Sequence, residues 1–220
     1  MRLLKELFEK NRLWAEKCVE VDPGFFHRLS HLQKPNFFWI GCADSRVPAN
    51  QIVGLDPGEL FVHRNIANLV VHTDLNCLSV LQYAIEVLKV EHVIVCGHYG
   101  CGGVGAALFN KEVGLSENWL RHLQDVVRIH QPTLDKIRSP RGRSDLLCEL
   151  NVVEQVMNVC RTTIVREAWR CGQSVAVHGW IYSLNDGRLR DLNVSITCNE
   201  ETLPFYEATL ASLAGRVATS

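Results

Sequence analysis

The chain has 220 residues, 47% of them hydrophobic and 21% charged, with a formal net charge of −1, which suits one globular domain with a sizeable core. No lysine or arginine block offers an electrostatic footprint for nucleic acid or a membrane surface, so small-molecule work is favoured. No apolar run approaches the ~18 residues a spanning helix needs, and Met1-Arg2-Leu3-Leu4-Lys5-Glu6-Leu7 carries charge where a signal peptide is apolar, so a cytoplasmic protein is expected.

Over residues 2–19, Leu3, Leu4, Leu7, Phe8, Trp14 and Cys18 fall near helical spacing, which predicts an amphipathic helix able to pack on its own domain or on a partner subunit. Asp22-Pro23-Gly24 interrupts it, and a short helix over about 24–33 should stop before Lys34-Pro35, because the residue before proline disfavours helix. The first strand is Phe37 to Ile40. Val47-Pro48 closes the loop after it, and the turn Leu55-Asp56-Pro57-Gly58-Glu59 leads into a second strand over 60–63. Thr73 or Asp74 can cap a crossover helix whose buried stripe is Leu75, Leu78, Leu81, Ile85 and Leu88. A third strand follows over 92–96, then a glycine-rich turn and a helix from Gly102 to Leu108 whose N-terminus favours a thiolate or anion.

The spacing predicts a helix over 116–130, a surface loop over 131–143, and one long helix over 144–170 with Leu146, Leu150, Val153, Val156, Cys160 and Ile164 as its stripe. Residues 174–184 and 189–197 read as a hairpin around Asn185-Asp186-Gly187. The result is an α/β fold: a mostly parallel central sheet with an antiparallel edge strand, flanked by helices. It divides into an N-terminal helical arm over 1–35, a core over 36–200, and a C-terminal helix or tail over 201–220.

Two strands run straight into chemistry. Trp39-Ile40-Gly41 is followed by Cys42, Asp44 and Arg46, and Val93-Ile94-Val95-Cys96-Gly97 by His98 and Cys101. In an open parallel sheet ligands bind beyond the carboxyl ends of the strands, so Cys42, His98 and Cys101 would form a three-ligand Zn2+ site if the two strands are neighbours. Three protein ligands with an open fourth position is the catalytic pattern, the fourth going to water or to Asp44. Nine cysteines, an odd number, fit a reducing compartment. Of these, Cys77, Cys96, Cys148 and Cys160 read as core or surface thiols, and His63, His122 and His178 as structural histidines without a neighbouring ligand pair. A redox pair fails because no Cys-x-x-Cys is present, and a zinc deaminase fails because no His-x-Glu precedes a Pro-Cys-x-x-Cys.

At these residues the chain resembles the β-class carbonic anhydrases. Cys42-x-Asp44-Ser45-Arg46 and His98-x-x-Cys101-Gly102-Gly103 are similar to the two signatures of that family, and Gly58-Glu59-Leu60-Phe61-Val62-His63-Arg64-Asn65 to the strand between them. The resemblance implies reversible hydration of CO2 to bicarbonate and a proton by a zinc-activated water. Asp44 would accept that water's proton, and Arg46 would hold the carboxylate off the metal. Two thiolates donate more charge than imidazoles, so activity should rise on the alkaline side. The resemblance also implies a homodimer, often paired into a tetramer, with Gln33 orienting substrate across the interface and Gly102, Phe61 and Tyr83 lining the substrate pocket.

Within the family, Trp39, Val47, Arg64 and Tyr182 are similar to the regulatory bicarbonate pocket of the allosteric branch, where the effector releases Asp44 from Arg46 so that it closes onto zinc. Two other readings stand beside these. One is a CS2 or COS hydrolase on the same scaffold; the other is a non-catalytic zinc protein or bicarbonate sensor with Asp44 permanently in the fourth position.

Overall fold

The computed structural model describes residues 3–31 and 34–218. The chain divides into two compact units, Met1–Lys34 and Pro35–Ser220. The first holds α1 (Lys5–Val21) and α2 (Phe25–His31), the helices expected there. Asp22 leaves helical geometry and stops α1, its carboxylate taking the Gly24 amide at 3.1 Å and the Arg28 guanidinium. Trp14 and Phe26 meet edge to face at 5.7 Å. No residue of α1 is buried, and Leu7, Phe8, Leu13 and Trp14 are each at least half exposed.

The second unit is built on β1 (Phe37–Cys42), β2 (Leu60–Asn65), β3 (His92–His98), β4 (Ala176–Ser183) and β5 (Arg188–Ile196), in the sheet order β2-β1-β3-β4-β5. The first four run parallel and β5 is antiparallel to β4, so the architecture is the α/β type expected. Alternation along β1 separates two faces. Phe38, Ile40 and Cys42 point into the main core with Val93 and Val95. Trp39 packs on the other side with Ile94, Cys96, Val47, Ala49, Leu60 and Tyr182.

Around the sheet lie α3 (Ala49–Val53), α4 (Leu75–Gln82), α5 (Gly102–Leu108), α6 (Ser116–Leu134), α7 (Pro140–Arg161), α8 (Thr163–Arg170) and α9 (Thr202–Ala218). Four expectations need correction. Helix α3 occupies what read as loop, and Ile52 and Val53 of it pack on the Trp39 face. Leu75 is 78% exposed; the crossover helix buries Leu81 and Ile85 of the expected stripe, together with Cys77 and Ala84. Small side chains at 77 and 84 let it approach closely, and it widens into a π-helical turn over Tyr83–Val87. Helix α6 runs on through Pro132 to Leu134, whose side chain is fully buried. The long helix is two: Thr162 turns extended, its Oγ1 accepts the Val165 amide at 3.2 Å and donates to the Val159 carbonyl at 2.7 Å, and the chain restarts as α8. No helix of the described residues is long and apolar enough to cross a membrane.

Candidate metal centre

Register brings the two motifs together. Strands β1 and β3 are hydrogen-bonded neighbours with Gly41 beside Cys96, so Cys42 and His98 leave the same carboxyl edge of the sheet. Gly100, at φ +69, takes the left-handed turn that returns the chain to Cys101 at the head of α5. Gly103 then packs so closely that an added Cβ would lie 2.9 Å from Ile66 Cγ2. The three donor atoms all lie within 4.8 Å of one another, the two sulfurs 3.8 Å apart. Cys42, His98 and Cys101 are 6%, 1% and 4% exposed.

The donors fit a soft divalent cation. His98 Nδ1 donates to the Tyr99 carbonyl at 3.1 Å, which places the imidazole lone pair on Nε2. That nitrogen is buried without a hydrogen-bond partner and faces the sulfurs. Hydrogen bonding from Cys101, then from the Asp44 and Ala67 amides, pulls the Cys42 thiol down to about 4. Its bond to Cys42 and burial push the Cys101 thiol up, since two thiolates this close repel; a dication removes that repulsion. Two thiolates and a neutral imidazole are the ligand set zinc takes with an open fourth position.

Asp44 stands beside this cluster with Oδ2 3.8 Å from His98 Nε2, beyond hydrogen-bond distance. Arg46 holds it there: its amide and Nε reach Oδ1 at 2.9 and 3.0 Å, and Nε and Nη2 reach Oδ2 at 3.2 and 2.6 Å. The Arg46 bonds keep the carboxyl down at about 2, so it is ionised across the neutral range. Arg64, half-buried next to Gly41 in the register, donates from Nε to the Cys42 carbonyl at 2.8 Å and from Nη2 to the Asp44 carbonyl at 2.6 Å. It braces the backbone of the loop that carries both residues.

The other expected site residues divide. Trp39, Val47 and Tyr182 share one apolar cluster, on the face of β1 opposite the Cys42 side chain. Gly102 sits on the centre's rim with open space where a side chain would be. Phe61 and Tyr83 lie against each other at 5.9 Å, but Phe61 is four residues from the end of β2, roughly 13 Å down the strand. Gln33 lies outside the described residues.

Two features were missed. His63, read as having no ligand pair nearby, has Asp74 and Cys77 within 4.8 Å. Its Nε2 faces the Asn65 amide nitrogen at 3.3 Å, Asp74 caps α4 through the Asn76 amide, and burial pushes Cys77 up to about 12. The second is a polar ladder on α7: Asn151 donates to the Ala67 carbonyl at 2.9 Å, Gln155 accepts the Val70 amide at 2.8 Å, and Asn158 donates to the Val70 carbonyl at 3.0 Å. It holds Ala67 at φ 66, a left-handed geometry costing an alanine about 1–2 kcal/mol, with its amide at the Cys42 sulfur. Polar residues at i, i+4 and i+7 inside an apolar stripe were the available signal.

An open, mostly parallel sheet with two thiols and an imidazole converging beyond its carboxyl edge defines an α/β protein with a three-donor candidate metal site. The family model described as carbonic anhydrase matches residues 37–189. A carbonic anhydrase of Emericella nidulans is 48% identical over 189 residues, covering 86% of this chain and 83% of that one. A Coccomyxa β-carbonic anhydrase solved with acetazolamide superimposes with a TM-score of 0.86 at 40% identity, covering 91% of each chain. A structure from work on two tetrameric β-carbonic anhydrases of Sordaria macrospora gives 0.82 at 36% identity, covering 87% of this chain and 98% of the other. The chain belongs to the carbonic anhydrase family, in its β class.

Proposed function

We propose that this enzyme catalyses the reversible hydration of CO2 to bicarbonate and a proton, with zinc held by Cys42, His98 and Cys101. The observation that carries the reading is the buried, unpartnered His98 Nε2 facing two sulfurs, with a carboxylate poised beside it. Zinc bound there supplies a Lewis acid that makes water nucleophilic near neutral pH. The permanently ionised Asp44 accepts a hydrogen bond from the attacking water and so orients it toward the carbon of CO2. Arg46, bonded to both carboxylate oxygens, keeps Asp44 in that accepting position. Stopped-flow proton release on mixing the zinc-loaded protein with CO2 tests this. Absence of acceleration at neutral and alkaline pH would refute it, and turnover of CS2 or COS in its place would favour the hydrolase reading.

Bicarbonate also regulates the enzyme, binding at Arg64 beside Trp39, Val47 and Tyr182. What supports this is Arg64's grip on the Cys42 and Asp44 carbonyls: an anion that draws the guanidinium away loosens the loop and frees Asp44 to close onto the metal. Arg64→Ala is expected to abolish cooperative inhibition by bicarbonate while most high-pH turnover remains, because Arg46 holds Asp44 independently of Arg64. Bicarbonate titrations of the initial rate check it; unchanged inhibition, or loss of turnover at high pH, would count against this pocket.

The exposed apolar side chains of α1 and the tetramers of the Sordaria relatives support a homodimer, paired into a dimer of dimers, with Gln33 orienting substrate across the interface. Nine free cysteines support a reducing, cytoplasmic compartment.

A further inference from the structure

The loop Tyr99-Gly100-Cys101, which carries the third donor and orients the second, is gripped by two consecutive residues of α7. Glu149, 6% exposed, accepts the Tyr99 hydroxyl hydrogen. The Cys101 backbone amide faces the sulfur of Cys148. A carboxylate buried this far is stable only when its charge is matched, and the matching cation comes from the last turns of the chain. Arg216 of α9 pairs with both Glu149 oxygens, Nη1 to Oε1 at 3.5 Å and Nη2 to Oε2. Tyr99 in turn supplies the carbonyl that accepts His98 Nδ1–H, and its own amide donates to the Tyr182 carbonyl at 3.0 Å. An unbroken series of contacts therefore runs from the exposed Arg216 of α9 through the buried Glu149 carboxylate and a phenol to the imidazole.

We propose that Tyr99, Glu149 and Arg216 are positioning residues for His98. By fixing the Tyr99 carbonyl they set the tautomer and direction of the imidazole, so α9, which contributes no donor, governs how tightly the centre holds its metal. The inference rests on the zinc reading above. Its physical basis is that partners outside the ligand shell which orient a ligating histidine change metal affinity roughly 10–100-fold.

The test uses Tyr99→Phe, Glu149→Gln, Glu149→Ala and Arg216→Ala, with Thr162→Ala as a control that loses the buried α8 cap and hence stability at the end of α7 remote from Glu149, roughly 20 Å along the helix. Zinc affinity is measured by chelator competition, and geometry by the visible spectrum of the cobalt-substituted protein. Tyr99→Phe, which deletes one oxygen atom, and Arg216→Ala are expected to weaken zinc binding about 10-fold and to shift the cobalt bands. Glu149→Gln, which still accepts the phenol hydrogen, should retain more affinity than Glu149→Ala. Thr162→Ala should lower Tm and leave both readouts unchanged. Wild-type affinity and spectrum in Tyr99→Phe and Arg216→Ala would overturn the inference, as would an equal shift in Thr162→Ala. A wild-type chain that binds no zinc would overturn the function proposed above as well. One zinc, lost in Cys42→Ser but held normally by Tyr99→Phe, overturns this inference alone.

Discussion

Cys42→Ser, His98→Ala and Cys101→Ser are each expected to lose bound zinc and CO2 hydration together. The cluster groups three donors, and Asp44 beside it is engaged by Arg46, so little redundancy cushions the loss. The effect should exceed the roughly 10–100-fold cost of disturbing an outer partner, because each donor supplies a first bond and two of them supply the charge that holds a dication. His98→Ala carries a further consequence: it removes the acceptor lone pair that is buried without a hydrogen-bond partner. Metal analysis after exhaustive dialysis, alongside CO2 hydration rates, reads both quantities at once. Full metal content and turnover in any one of the three variants would show that the donor set is wrong.

Asp44→Ala and Arg46→Ala should separate the two properties, keeping zinc while lowering kcat/KM by about 10²–10³-fold, the range for losing one preorganised hydrogen-bond partner of the reacting group. The pH dependence follows from the depressed carboxyl. Because the Arg46 bonds hold Asp44 at about 2 against an ordinary 3.8, what the pair adds to stability is present above the ordinary value and is lost only as pH falls through about 2. Asp44 therefore stays charged in any practical assay, and an alkaline rise in rate cannot be its titration. Arg46→Ala should leave the wild-type midpoint of that rise nearly in place and lower its plateau. Loss of zinc from Asp44→Ala would instead make the carboxylate an obligatory ligand and favour the non-catalytic reading.

Much of this was legible in one dimension. A strand rich in β-branched and aromatic residues that ends in glycine and then a thiol, carboxylate or imidazole announces both its structure and the edge at which its chemistry sits. The strands, the hairpin and most helices follow from apolar period and from turn residues such as Asp22-Pro23-Gly24 and Asn185-Asp186-Gly187, because burial of one face and the geometry of turns are local demands. The donor types of Cys42, His98 and Cys101 depend only on side-chain chemistry, so the candidate metal could be named before the fold.

What lay beyond the sequence depends on which elements become neighbours. Periodicity gave leucines to the buried face of the crossover helix, whereas packing against the sheet chose Cys77 and Ala84, whose small size permits close approach. The break at Thr162 needed a capping geometry that a continuous apolar stripe conceals. The meeting of β1 with β3, the brace from Arg64 to two carbonyls, the α7 ladder under Ala67 and the Arg216–Glu149–Tyr99 series all join residues 20 or more positions apart. Such contacts form only once burial has paired the strands and seated the helices. The sequence thus determined the donors, the strands that carry them and the family, while the tertiary structure alone decided that the donors converge and what holds them in place, since convergence depends on register and packing and no single segment encodes either.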